Sequence, residues 1–427
     1  MNREFTQSEQ LLTRAEQSIP LGSQTFSKSK TAYPMGVSPF FIERGEGCQV
    51  WDVDNNQYTD FVSGLLSISL GYCDNDVDAA ILKQMKSGVT FSLPHRLEME
   101  VAEMIVDMVP CAEMVRFGKN GSDATSAAIR LARAHTGNEH IGVCGYHGWQ
   151  DWYIGSTTRD LGVPESTKAL THSFVYNDIE SLKHILAQHK FAAIIMEPMN
   201  LAYPSARFLQ EVKTLCHQHG ALLIFDEMIT GFRFAKGGAQ ELFGVTPDLA
   251  TFGKGMANGY PISAVVGRKS IMMLMEDIFF SGTFAGETLS LAATKATLNK
   301  IKTQNVIPHI HAMGEQLIHG LQQTLKAMGN PSWLKICGHP SWSFLQILDC
   351  APYTSWQLKS LFLQEMAQRG ILLGGGHNLN YAHQSQDIDK LLNAYREILP
   401  LLSETISKQN FDEIFQGEVL QPLFKVR

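Results

Sequence analysis

The sequence predicts an α/β fold: a large domain with a mostly parallel central sheet flanked by helices, plus a smaller α+β domain. Three observations predict it. Between Met114 and Val266 short apolar runs of strand length alternate with helical patterns, as strand-helix-strand units do. Runs such as Phe191 to Met196 and Ala221 to Phe225 carry no polar alternation, which is how strands covered on both faces read. After Leu298 the order becomes helix, strand, helix, broken at Gly329, Pro331 and Gly338, and this change marks a second unit.

Taken in order, the chain opens on an amphipathic helix, followed by a polar, proline-punctuated segment from Ile19 to Pro39 that reads as irregular. Cys48 to Phe61 alternates apolar and polar residues around Asp54-Asn55-Asn56, a strand-turn-strand signal. Met114 to Phe117 is a strand whose outgoing loop, Gly118 to Asp123, leads into a helix to about Ala134. Ala124, Ala127, Ala128 and Leu131 recur at helical spacing there, and Ser122 or Asp123 can cap the start. Backbone N–H groups at such a start attract an anion, although a Gly-Ser before a helix is more often only a cap. His140 to Gly145 is the next strand and ends in Tyr146-His147-Gly148; Trp149 to Val175 is a polar loop region; Phe191 to Met196 ends at Glu197. A helix, Ala206 to His219, returns the chain to Ala221, and Ser263 to Val266 is a further strand.

The stretch from Ala221 to Pro261 carries the chemistry. Asp226 and Glu227 stand at the C-terminal end of one apolar strand, and Leu249 to Phe252 ends in Gly253-Lys254-Gly255. In open α/β sheets that is the edge where ligands bind. The interval of 28 residues (254 − 226) is about one strand-helix-strand excursion, so a carboxylate and an amine reach the same edge. Alone, Asp226 reads as a loop cap and Lys254 as a surface amine. Together they suit pyridoxal phosphate, whose aldehyde takes a lysine amine and whose ring nitrogen takes a carboxylate partner. Burial of Lys254 would lower its pKa and free the amine for that bond and for proton transfer.

Phe225-Asp226-Glu227, Thr230-Gly231-Phe232-Arg233, Thr246-Pro247-Asp248-Leu249 and Gly253-Lys254 resemble the class III pyridoxal-phosphate aminotransferases. Within that family the likeness is greatest to glutamate-1-semialdehyde 2,1-aminomutases, from about Gly45 to about Asp389. The resemblance implies a fold-type I transferase divided as 1–70 (N-terminal segment and part of the small domain), 71–299 (large cofactor-binding domain) and 300–427 (C-terminal small domain). It implies catalytic roles for Lys254 and Asp226, and cofactor binding by Asn120, Gly121, Ser122, Tyr146 and Met228, with Tyr146 and Met228 on opposite ring faces. Thr283, in Phe280-Ser281-Gly282-Thr283-Phe284, would reach the neighbouring subunit's cofactor phosphate, which implies a homodimer with shared active sites. Glu197 would pair with pocket cations.

Several positions depart from the aminomutases. Lys28 stands where they carry a carboxylate-binding arginine and lacks the bidentate fork. Leu65 falls near a pocket aromatic, and Gly375 at or beside a pocket glutamate. The segment from Trp149 is shorter than their active-site gate, and Trp149, Trp152 and Tyr153 could pack on a sugar-derived or other hydroxylated skeleton. The expectation is a transaminase moving an amino group from an amino acid, glutamate foremost, to a small aldehyde or ketone by a ping-pong mechanism. The intramolecular aminomutase is the runner-up, and a non-catalytic pyridoxal-phosphate fold is the reading from another class.

Composition narrows the rest. The chain of 427 residues is 44% hydrophobic and 18% charged with a formal net charge of −7, long enough for two domains and poor in the basic patches a nucleic-acid partner favours. No secretory signal and no run of about 18 apolar residues stands out, so no membrane association and a cytoplasmic location are expected. Seven cysteines without paired spacing read as reduced thiols. Cys216-His217-Gln218-His219 lacks a second ligand pair at zinc spacing and reads as a helix end; no metal is expected.

Overall fold

A computed structural model describes residues 3–422, and the chain divides into two units. One holds Ser67–Ser69 and Asn75–Ile307; the other holds Leu70–Asp74 with the described chain up to Leu66 and from Pro308 to 422. The division falls past the expected residue 299 because the helix Thr288–Thr303 packs on the helices Asn75–Met85 and Arg96–Met108 of the first unit.

The first unit is built on a seven-stranded sheet. Its order is Met114–Gly118, Ser263–Gly267, Leu249–Phe252, Leu222–Asp226, Phe191–Met196, His140–Cys144 and Thr171–Ser173. Only Ser263–Gly267 runs antiparallel to its neighbours. Every residue of Phe191–Met196 and of Leu222–Asp226 is buried, which is why these strands read as unbroken apolar runs.

The helix Gly121–Thr136 shows how the sequence sets an element locally. Asn120 accepts a hydrogen bond from the Asp123 N–H while Asp123 accepts one from the Asn120 N–H, a reciprocal cap. Gly137 ends the helix at φ 70°, where a left-handed residue can turn its N–H back to the Arg133 carbonyl. Between them Ala124, Ala127, Ala128 and Leu131 form the buried face, of which Ala127, Ala128 and Leu131 belong to one core cluster with Ile141, Ile195, Ile224 and Val265. Leu131 has no exposed surface; Leu131→Ala should cost about 2–5 kcal/mol, readable by denaturant titration, and no loss would refute its place in this core.

In the second unit, Ile42–Glu46, Gln49–Asp52 and Gln57–Asp60 form an antiparallel set extended by Ile371–Leu372. The expected turn is present, with Asn55 at φ 63°. Three antiparallel strands, Leu334–His339, Trp342–Ile347 and His377–Asn378, and the long helices Ser355–Gln368 and Ser385–Lys408 complete an α+β arrangement.

Candidate active site

The parallel strands deliver polar groups at their C-terminal ends. Cys144 pairs with Met196, Met196 with Phe225, and Asp226 with Thr251. Tyr146, His147, Glu197, Asp226 and Lys254 therefore leave the sheet at one edge. Lys254 is half-buried and opens a short 3-10 turn with its own φ at +44°, a left-handed conformation that costs an L residue about 1 kcal/mol.

Asp226 is 4% exposed and ringed by donors. His147 Nδ1 lies 2.8 Å from Oδ2, and the Met228 N–H and the Thr251 hydroxyl donate to Oδ1 at 3.1 and 3.3 Å. Because an ionised carboxylate only accepts, Nδ1 of His147 must carry the proton. The other ring nitrogen, Nε2, is buried with no hydrogen-bond partner, and the His147 carbonyl accepts from Thr125 Oγ1 at 2.9 Å. Sequence reasoning quoted His147 inside the Tyr-His-Gly triplet and gave it no role. Its carboxylate partner is 79 residues away, so no local pattern could reveal it.

Lys254 sits in a mixed field. Burial pushes its pKa below the ordinary lysine value; the charges of Glu197 and Asp226 oppose that shift, and the Arg233 guanidinium adds to it. Burial and the nearby Asp226 push Glu197 up, against His147, Asn200 and Lys254. Its Oε2 accepts from Asn200 Nδ2 at 2.7 Å and from the Tyr146 N–H at 3.3 Å. Only glycine fits at 145, at φ 109° with a Cβ that would fall 2.4 Å from that oxygen. Arg233, 3% exposed with its pKa brought to about 10 by burial, is a second residue that carried no assignment.

The adjacent acid does different work. Glu227 accepts from the Ala239 and Gln240 N–H groups at 2.7 and 2.9 Å and from the Thr230 hydroxyl. It caps the turn Ala239–Phe243 and holds the loop, and burial pushes its pKa up.

At the expected phosphate end, the N–H groups of Gly121 and Ser122 are the first two of a helix and have no intrahelical acceptor. The Ser122 hydroxyl accepts from the Trp149 N–H at 3.2 Å and keeps its proton to donate. Asn120 is exposed and its amide oxygen is committed to the cap. Met228 is wedged between two glycines: a Cβ would meet its Sδ at 3.1 Å from Gly121 and at 2.8 Å from Gly253. A flat ring bearing an aldehyde, a protonatable nitrogen and an anionic arm fits this donor set, with Lys254, Asp226 and the Gly121 helix start as its three anchors.

The remaining expected residues divide between this edge and other places. Tyr146 is 49% exposed and meets Tyr153 edge-on at 5.6 Å. Trp149 is 64% exposed. Trp152 and Tyr153 are not substrate-facing: both are buried in the core, with Trp152 Nε1 donating to Ser126 and the Tyr153 hydroxyl donating to the Gly145 carbonyl. The polar loop around them hid two core aromatics, and the argument for a sugar-derived skeleton loses two of its three rings. Thr283 is exposed and lines a cavity of about 530 Å³ with Phe91, His95, Arg116 and Phe117, whose walls include neither Lys254 nor Asp226. Lys28 is exposed on a 3-10 turn in the second unit. The Cys216 segment is a helix end, with His217 bonded to Asp248 at 3.0 Å.

Comparison with known proteins extends the geometry. Residues 32–339 match the family model for class-III aminotransferases. The chain is 35% identical over 406 residues to the glutamate-1-semialdehyde 2,1-aminomutase of Syntrophobacter fumaroxidans, covering 88% of this chain and 93% of the relative. It is 33% identical over 407 residues to the 3-aminobutyryl-CoA aminotransferase of Cloacimonas acidaminovorans, covering 92% and 97%. Among solved structures, the pyridoxal-phosphate form of the FumI protein of Sphingopyxis sp. MTA144 superposes with a TM-score of 0.87 at 29% identity, over 97% of this chain and 99% of that one. An omega-transaminase from Sphaerobacter thermophilus gives 0.85 at 25% identity, over 93% and 98%.

Proposed function

Because the chain belongs to the class-III aminotransferases, pyridoxal-phosphate-dependent enzymes, we propose that it is an intermolecular transaminase taking the amino group of an amino acid, glutamate foremost, to a small aldehyde or ketone by a ping-pong route. The observation that carries the reading is the register that brings Lys254 and the buried Asp226 to one edge of the sheet, with the Lys254 amine made less basic by burial against the opposing charges of Glu197 and Asp226. Pyridoxal phosphate, when bound, supplies an aldehyde for the amine and an electron-withdrawing ring. Asp226 would keep the proton on the ring nitrogen, and His147 would fix the orientation of that carboxylate through Nδ1. Lys254 Nζ, less basic than a surface amine, would take the proton from the donor's α carbon and return it on the far side of the intervening nitrogen. The N–H groups of Gly121 and Ser122 would hold the phosphate, and Tyr146 would cover the ring. Membership of a dimer through Thr283 belongs to the same proposal: an exposed loop threonine is available to a second chain.

Exchange between molecules is favoured over internal transfer by Lys28, Leu65 and Gly375. A Cβ at Gly375 would meet nothing within 4 Å, so the position carries neither a side chain nor a substitute for one. Purified enzyme given L-glutamate alone should change the visible absorbance of its cofactor and release 2-oxoglutarate, and Lys254→Ala should do neither. Turnover of glutamate-1-semialdehyde without any external amino donor, and no response to any amino acid, would sink the proposal in favour of the mutase.

A further inference from the structure

We propose that His140, His172 and His189 form a binding site for a divalent transition-metal ion, with Zn²⁺ the best fit, on the sheet edge away from Lys254. Each offers one ring nitrogen, and these atoms all lie within 4.8 Å of one another. Among the described residues this is the one group of three or more His, Cys, Asp or Glu side chains that converges so closely. His140 Nδ1 and His172 Nε2 are 2.9 Å apart. Zn–N bonds of about 2.0–2.1 Å at tetrahedral angles put ligand nitrogens about 3.3 Å apart, so the pair needs only a small spread to admit the ion.

The three rings come from different elements. His140 opens the strand His140–Cys144, His172 lies in the edge strand Thr171–Ser173, and His189 sits just before Phe191–Met196. The C-terminal ends of these parallel strands lead to Tyr146 and Glu197, so the cluster lies toward the opposite end of the sheet. The ring of Phe191, without exposed surface, makes an apolar floor with centroids 5.4 Å from His172 and 6.1 Å from His140. His189 is exposed and stacks on His140 at 4.1 Å, which leaves a solvent approach and room for water as the fourth ligand. Because an imidazole lone pair lies in its ring plane, the near-parallel His140 and His189 rings, 19° apart, do not yet aim at one point; binding requires the exposed His189 ring to turn out of the stack, while the His140–His172 pair is already close. Coordination balances without net proton loss: the nitrogen that donates in the His140–His172 pair passes its proton to its own ring's other nitrogen through solvent, and its lone pair turns to the ion. The bound ion would pin the three-residue edge strand Thr171–Ser173 to the sheet.

The test uses chelator-treated holoenzyme titrated with Zn²⁺ by calorimetry, and with Co²⁺ by visible absorption to report nitrogen ligation. The expected result is one ion per chain at a Kd of about 1 μM or tighter, with a rise in Tm on Zn²⁺ addition. His189→Gln, a surface change, and His172→Gln should each weaken binding at least roughly tenfold and remove the Tm rise. Absence of stoichiometric Zn²⁺ binding to the native chain, or unchanged affinity in His189→Gln, overturns the site. Should His172→Gln fold poorly, the His189→Gln titration decides alone.

Discussion

His147 Nδ1 stands 2.8 Å from Oδ2 of Asp226, with both side chains buried. A buried imidazole that spends one nitrogen on a carboxylate aims that carboxylate. His147→Ala should therefore remove about 1.5–3 kcal/mol of charge-assisted hydrogen bonding, read as a roughly tenfold to hundredfold fall in kcat or in cofactor affinity. Asp226→Asn should lower kcat further while leaving thermal stability closer to native. Native kcat and cofactor affinity in His147→Ala would show that the imidazole only fills space.

Glu227, one residue on, should behave in the opposite way. Glu227→Ala leaves the Ala239 and Gln240 N–H groups without acceptors, at about 1–3 kcal/mol for each unsatisfied buried group. Denaturant midpoints should fall sharply, and the folded fraction should still react with glutamate. A fully stable but inactive Glu227→Ala would reverse the roles given to the two neighbouring acids.

Two glycines separate packing from chemistry. Gly148 has φ 105°, and a Cβ there would lie 2.3 Å from Ser122 Oγ; Gly148→Ala should cost about 1–3 kcal/mol and loosen the phosphate end. Gly375→Ala has open space around it and should leave stability within about 0.5 kcal/mol. Equal melting temperatures for the two variants would contradict this geometry.

Stability should also depend on pH through His377. Burial pushes its pKa down to about 3, while its ring is bonded to Ser343 Oγ at 2.9 Å and to the Tyr395 hydroxyl at 2.6 Å. Between that value and the ordinary histidine pKa of about 6.5 the unfolded chain binds the extra proton. Stability therefore rises with pH across this window and is lost as pH falls from about 6.5 toward 3. His377→Gln should be less stable at neutral pH yet show a flatter acid slope; parallel curves for the two proteins would remove His377 as the cause.

How much of this was legible in the sequence depended on how local each signal was. Phe191–Met196 and Leu249–Phe252 were readable to the residue, because strands buried on both faces need unbroken apolar runs. Asp226 and Lys254 were readable because strand-end position and spacing together bring them to one edge. The antiparallel course of Ser263–Gly267 was not, since a strand's direction leaves no mark in its own residues. Nor was the convergence of His140, His172 and His189, which depends on pairings between separate strands. Trp152 and Tyr153 mislead because a polar loop reads as exposed, whereas here Ser156 and Thr157 are buried along with the two rings.

The left-handed backbone at Lys254 fixes where its amine can stand. Gly253 is hemmed by Met228 and Lys254 is turned the wrong way for an L residue, so the fold holds an unfavourable twist at the one side chain whose aim matters most. A lysine moved one place along the chain would keep its length and charge and lose its direction. The reactive group is thus specified by the path of the main chain as much as by the identity of the residue.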